Sequence, residues 1–163
     1  MTTPRQPLPG DYGVSHGSGL IGELIRHATE SWAGHAFIYL GDGHIIEGTA
    51  PVAAVATSAS HPDAVWSNED LTDAQRVLIT DRAHALVGTA YDWPAYVGFS
   101  LEVLKLRSGA QLDGVFKQDR WRVCSALVAD CYRYAGIDVL PGVADPNLVS
   151  PADLYNRIVA RAA

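Results

Sequence analysis

The chain has 163 residues, 48% hydrophobic and 18% charged, a composition typical of one globular domain and not of a disordered chain. A net charge of −6, with Lys105 and Lys117 as the two lysines, argues against a nucleic-acid partner. Two cysteines, Cys124 and Cys131, allow neither a disulfide framework nor a four-cysteine zinc site. No apolar run reaches the roughly 18 residues that predict a membrane span. Residues 1–10 lack the apolar stretch of a secretion signal, so we expect a cytoplasmic or Sec-independent protein.

The first half of the chain predicts one helix among several short strands. Residues 1–10 are proline-rich and predict an extended lead-in, and apolar residues recur at helical spacing through residues 19–29. Alternating or aromatic and β-branched stretches predict the strands: residues 12–15, 35–40, 44–48, 52–56 and 64–66. The Gly-Asp-Gly sequence at 41–43 predicts a three-residue turn between two of these strands.

The second half of the chain predicts helices. Thr72 with Gln75 three residues later is a capping-box pattern, and it opens a helix that ends near Gly88. Ser150, Pro151 and an acidic residue in the first turn predict a second helix start. The remaining segments are a helix at 94–105, an exposed loop at 108–119, a helix at 122–135 and the final helix to about 161. A helix, then strands, then helices predict a single α+β domain over residues 1–163 with an antiparallel sheet.

Cys124 is the candidate nucleophile because it lies near the start of the predicted 122–135 helix. A helix N-terminus presents free backbone N–H groups and the positive end of the dipole, and both lower the pKa of a thiol. The same N–H groups can stabilise an oxyanion beside the sulfur. The alternative is a small buried hydrophobic residue, since Cys124 shares a helical face with apolar neighbours. Cys131, two turns into the helix, is interpreted as core.

His35 is the candidate base among six histidines, because it opens the strongest predicted strand and can face a helix packed against the sheet. A structural histidine is the alternative. The other five lie on polar helix surfaces or near turns, where solvated positions are common: His16, His27, His44, His61 and His84.

Glu47 is the candidate group that orients His35. A carboxylate within an apolar strand needs a partner, and the hairpin register decides whether that partner is His35. If residues 41–43 form a three-residue loop, Phe37 opposes Glu47, and Glu47 becomes the diagonal neighbour of His35 on one sheet face. A two-residue turn would place Glu47 on the other face. A glutamate on a solvated sheet face is the alternative interpretation.

Three segments support a family resemblance when taken in order: Gly-Asp-Tyr-Gly at 10–13, residues 31–48 around His35 and Glu47, and Cys-Ser-Ala-Leu-Val-Ala-Asp from Cys124. Together they resemble the circularly permuted branch of the NlpC-type papain-like cysteine hydrolases, with YiiX-like proteins and relatives of lecithin:retinol acyltransferase. In that branch a histidine and a polar residue precede the cysteine, as they do here. The resemblance implies a permuted papain-like fold whose antiparallel sheet packs against the nucleophile helix.

The resemblance also assigns expected roles, with two departures. Arg122 and Val123 precede Cys124, where unpermuted relatives carry an aspartate. The acid Glu47 fits the YiiX-like side better than the acyltransferase side, where a histidine is expected. Residues 88–93 resemble the glycine-tyrosine segment of these enzymes, which implies that Tyr91 lines the site and contacts the oxyanion.

The resulting expectation is a cysteine peptidase or amidase, with a cell-wall peptide among the candidate substrates. Cys124, His35 and Glu47 would form the triad, with no metal and no organic cofactor. The expected partner is a small peptide, amide or acyl substrate, with neither nucleic acid nor a membrane span. Three alternatives stay open. One is a lipid ester or thioester hydrolase or acyltransferase, and another is a non-catalytic module that binds a peptide or acyl chain in a groove lined by Trp32, Trp66, Trp93 and Trp121. The third is a structural part of a larger assembly, which the acidic composition neither supports nor excludes.

Overall fold

The computed structural model describes residues 5–49, 52–89, 124–143, 145 and 149–162. Several predictions lie outside these residues: the helix at 94–105, the loop at 108–119, the first two residues of the 122–135 helix, and the positions of Tyr91, Trp93 and Trp121.

The described strands form one five-stranded antiparallel sheet. Its strands are β1 (Tyr12–Ser15), β2 (His35–Gly41), β3 (His44–Thr49), β4 (Val52–Thr57) and β5 (Val65–Trp66). Their order across the sheet is β4-β3-β2-β1-β5, and every neighbouring pair is antiparallel. All five predicted strands are present within one or two residues, which confirms an α+β chain with an antiparallel sheet.

The turn between β2 and β3 corrects the predicted three-residue loop. Gly41 pairs with His44, so the loop consists of Asp42 and Gly43, both with positive φ (48° and 74°). Such a turn alone would reverse the face on which Glu47 lies. A β-bulge at Leu40, between the paired residues Tyr39 and Gly41, inserts one extra residue and restores the register.

Within the described residues, four helices accompany the sheet: α1 (Gly19–Thr29), α2 (Asp73–Ala85), α3 (Cys124–Tyr134) and α4 (Pro151–Ala162). The predicted capping box at α2 is confirmed, because the Thr72 side chain accepts from the Gln75 N–H and the Gln75 side chain accepts from the Thr72 N–H. At α4, the Ser150 hydroxyl accepts from the Asp153 N–H, and the Asp153 carboxylate accepts from the Ser150 N–H. Both helix starts therefore depend on short-range polar patterns.

The core lies where α2 and α3 pack against the central strands. One face of the sheet contributes Ala36, Ile38 and Ile46 to this core, together with Leu127 and Val128 of α3. Among the described helices, none combines the length and the apolar character that a membrane crossing needs.

The opposite face of the sheet is crossed by residues 58–64. These residues begin with a short 3-10 turn (Ser58–Ser60), which was not predicted. They join β4 to β5, and these two strands lie at opposite edges of the sheet. The connection therefore passes over the face on which His35, Phe37 and Glu47 lie, and it places His61 above Phe37 with ring centroids 4.5 Å apart.

Candidate functional site

His35 and Glu47 lie on neighbouring antiparallel strands and share one sheet face. Phe37 opposes Glu47 in the β2–β3 register, and His35 is two residues before Phe37, so Glu47 is its diagonal neighbour. His35 Nε2 lies 2.7 Å from Glu47 Oε2. The predicted shared face is confirmed, although a bulge and a two-residue turn produce it.

Cys124 is the first described residue of α3, and it meets the start of β2. A hydrogen bond joins the Cys124 side chain to the His35 side chain. Because Nε2 of His35 is already paired with Glu47, Nδ1 is the ring nitrogen that remains for the sulfur. The three side chains thus form one hydrogen-bonded series, from thiol to imidazole to carboxylate. Cys124 is also only 1% exposed, so its side chain is almost fully buried.

The electrostatics of this series favour its charged form. Burial lowers the pKa of His35, but the negative charge and hydrogen bonds of Cys124 and Glu47 outweigh it and raise that pKa to about 10. Burial raises the pKa of Glu47, but hydrogen bonds from His35 and His61 outweigh it and lower that pKa to about 2. At neutral pH Glu47 is therefore ionised and His35 is protonated. The Coulomb attraction between His35 and Cys124 acts on both partners, so the imidazolium favours the thiolate.

His61 belongs to the same cluster, although the sequence placed it only near a turn. Its Nε2 lies 2.8 Å from the same carboxylate oxygen, Oε2 of Glu47, and its Nδ1 lies 3.2 Å from Ser15 Oγ. No local pattern identifies this residue, because its position follows from the path of residues 58–64 across the sheet. The other four histidines are exposed: His16, His27, His44 and His84.

The two histidines and the carboxylate also form a chemically suitable ligand set for a divalent transition metal. Their three ligand atoms all lie within 4.8 Å of one another. Each ring nitrogen, however, is within 2.8 Å of Oε2, whereas ligand atoms around a tetrahedral zinc ion are roughly 3.3 Å apart. The geometry fits two N–H groups that donate to one carboxylate oxygen better than it fits a metal-ligand cage.

The remaining candidates occupy separate positions. Cys131 is fully buried in the core, as predicted. Of the tryptophans expected in a groove, Trp32 packs against Tyr155 and Trp66 packs edge-on to Phe37 and Tyr39, so the two do not share a ring contact. A cavity of about 320 Å³ lies beside His61 and Trp66.

Comparison with known proteins assigns no family to the chain. No protein-family model matches it, and no curated protein matches it.

Proposed function

We propose that this protein is a cysteine hydrolase that cleaves an amide bond, built on a circularly permuted papain-like fold. The observation that carries the proposal is the hydrogen-bonded series of Cys124, His35 and Glu47. Nucleophile, base and orienting group stand in the order that acyl transfer by a thiol requires. The sequence resemblance supports the same roles and suggests peptides, including cell-wall peptides, as the substrate class.

The proposed reaction proceeds through an acyl-enzyme. The Cys124 thiolate attacks the substrate carbonyl, and the carbon–nitrogen bond breaks as protonated His35 donates its Nδ1 proton to the leaving amine. Neutral His35 then takes a proton from a water molecule as the water oxygen attacks the thioester carbonyl. The carbon–sulfur bond breaks, the acid leaves, and the Cys124 thiolate and protonated His35 are restored. Glu47 keeps its charge throughout and stabilises the imidazolium. Tyr91, proposed to contact the oxyanion, lies outside the described residues.

The test combines active-site labelling with a substrate panel. Peptide amides, esters and thioesters are offered to the wild type, to Cys124→Ala and to Cys131→Ala, and acylation is read by intact mass. Both substitutions remove a buried thiol from the same helix, so they form a matched pair. We expect a covalent adduct and amide turnover that Cys124→Ala abolishes and Cys131→Ala retains. Turnover of esters or thioesters alone would favour a lipid-directed hydrolase or acyltransferase.

A non-catalytic binding module is the second candidate, and the burial of Cys124 favours it. A thiol that no substrate reaches contributes packing and no chemistry. In that case electrophilic probes would label neither cysteine of the folded protein, and Cys124→Ala would leave peptide or acyl-chain binding unchanged.

A further inference from the structure

Glu47 is held from two sides. One oxygen, Oε2, accepts from Nε2 of His35 at 2.7 Å and from Nε2 of His61 at 2.8 Å. These rings approach from different parts of the fold, β2 and the 58–64 connection, and their centroids are 5.3 Å apart. With one donor alone, a glutamate side chain keeps rotational freedom about its terminal bonds. The second donor restricts this freedom.

His61 is itself fixed by the surrounding structure. Its ring stacks on Phe37 with a centroid distance of 4.5 Å and an interplanar angle of 22°. Its Nδ1 lies 3.2 Å from the hydroxyl of Ser15, which is buried and pairs with His35 in the β1–β2 register. In the neutral form of His61, the Ser15 hydroxyl donates to Nδ1 while Nε2–H donates to Glu47. The contacts thus form a closed circuit from His35 through Glu47, His61 and Ser15 back to the start of β2.

We infer that His61 is a positioning residue of this site: it holds the Glu47 carboxylate in the orientation that presents it to His35. The inference rests on the proposed roles of Cys124, His35 and Glu47. His61 keeps its own protons during the reaction, because the proton that moves is the one between His35 and the sulfur. Its effect reaches Cys124 only through Glu47 and His35.

The expected consequence concerns the thiolate at acidic pH. Among the residues that the structure describes, the hydrogen-bond partners of Glu47 are His35 and His61, and His35 adds Cys124 as the third titratable neighbour. Without the His61 donor, the nearly buried carboxylate loses one of its two hydrogen bonds from the described histidines and is less firmly held in the orientation that faces His35. The imidazolium is then less stabilised, and less of Cys124 is ionised below the ordinary thiol pKa.

The experiment measures alkylation of Cys124 by iodoacetamide in a Cys131→Ala background, with the rate constant read from intact mass. The rate at about pH 6, where the ion pair maintains the thiolate, is divided by the rate at about pH 9.5, where the thiol ionises by itself. This ratio cancels differences in access to the buried sulfur. His61→Phe retains a ring against Phe37 but has no donor, whereas His61→Gln retains an amide donor without the ring.

We expect His61→Phe to lower the ratio roughly tenfold, the factor that corresponds to about one pKa unit. His61→Gln should remain within about threefold of the background protein because its amide can donate to Glu47. Ser15→Ala, which releases Nδ1 of His61, should lower the ratio by a smaller factor, and it keeps the test available if His61→Phe does not fold.

The outcomes separate this inference from the proposed function. An unchanged ratio in His61→Phe, or equal losses in His61→Phe and His61→Gln, would overturn the positioning role. If His35→Ala also leaves the ratio unchanged, the thiolate–imidazolium pair itself is wrong and the proposed hydrolase fails. If His35→Ala lowers the ratio of the two alkylation rates but His61→Phe does not, the positioning role of His61 is wrong and the proposed hydrolase still stands.

Discussion

The Glu47 carboxylate is the negatively charged group that contacts both histidines of the site. It is nearly buried, and a buried carboxylate is unfavourable unless donors compensate for its lost hydration. Two histidine N–H groups provide that compensation at one oxygen. The folded protein therefore stabilises the ionised form of Glu47, and this stabilisation must appear in the pH dependence of folding.

Replacing Glu47 with Gln tests this charge. The folded-state pKa of Glu47 is about 2, below its ordinary value of roughly 4.3. Its contribution to the free energy of unfolding is therefore fully present above about pH 4.3 and is lost as the pH falls towards 2. His35, whose pKa is raised to about 10, contributes below its ordinary value of roughly 6.5 and loses this contribution as the pH rises through 10. We expect Glu47→Gln to lower the free energy of unfolding by about 2–3 kcal/mol at neutral pH.

The measurement is urea unfolding of both proteins from acidic to alkaline pH. The difference between them should be largest near neutrality and should shrink on either side. Glu23→Gln, on an exposed position of α1, controls for the substitution itself and should change stability little. A difference that does not vary with pH would mean that Glu47 contributes packing and not charge.

Cys131 provides a second test at the residue scale, because it is fully buried in the core on the helix that carries Cys124. Cys131→Ala removes the sulfur and leaves a small cavity, so we expect a loss of about 1–2 kcal/mol in the free energy of unfolding. Thermal and urea unfolding measure it. An unchanged stability would show that the surrounding core closes around the smaller side chain.

At the scale of elements, the start of β2 is held in position where three chain segments meet closely: Gly34, the chain just after β1, and Gly22 of α1. The Gly34 N–H donates to the Ser15 carbonyl at 2.9 Å, just before His35. A Cβ on Gly34 would lie 2.4 Å from the His16 carbonyl oxygen and 2.9 Å from that of Gly22 in α1. No side chain fits there, so glycine allows α1 and β1 to meet the strand that begins with His35.

Gly34→Ala should therefore displace the beginning of β2. We expect a loss of more than about 2 kcal/mol in the free energy of unfolding, because the contacts are with backbone and cannot yield easily. His35 should move with the strand, and Cys124 should lose alkylation at acidic pH. Urea unfolding and labelling measure the two effects.

Gly43→Ala is the matched control in the β2–β3 turn. Gly43 has a φ of 74°, but the nearest atom to its added Cβ would be Ser58 Oγ at 3.9 Å. The backbone conformation alone is strained, and we expect a loss of about 1 kcal/mol with labelling unchanged. Equal effects of the two substitutions would refute the argument from close contact.

At the scale of the whole molecule, a nearly buried ion pair connects the last helix to the segment after β5. Arg157 of α4 donates to both oxygens of Glu69, at 2.6 and 2.9 Å, and the Glu69 side chain is 6% exposed. Arg161 also approaches Glu69, at 3.5 Å, but its closer partner is Asp70, whose side chain is almost fully exposed. The nearly buried Glu69 carboxylate therefore needs the charge of Arg157, whereas water already solvates the carboxylate of Asp70.

Arg157→Ala should leave the buried Glu69 carboxylate largely uncompensated. We expect a loss of about 2–3 kcal/mol in the free energy of unfolding, somewhat below the usual range for a broken buried pair because Arg161 remains nearby. Arg161→Ala should have a much smaller effect, since its main partner is solvated and screened. Thermal unfolding of both variants measures the difference. Equal losses would mean that the bidentate geometry adds nothing.

Features that depend on neighbouring residues could be predicted from the amino-acid sequence. Helix starts at Thr72 and Ser150 follow from side chains that accept their own neighbouring N–H groups, so the pattern is readable within four residues. The pairing of Phe37 with Glu47 was predicted on the condition of a three-residue loop at 41–43. That loop is wrong, and the structure reaches the same pairing through a two-residue turn and the bulge at Leu40.

Features that depend on contacts between segments distant in sequence could not be predicted in this way. The absence of room at Gly34 and the burial of Cys124 each result from packing between separate elements. His61 is the clearest case. It lies 14 residues from Glu47, in a connection without regular pattern, and it reaches the carboxylate because β4 and β5 occupy opposite edges of the sheet. Local propensity carries no information about strand order, so only the assembled sheet places His61 beside Glu47.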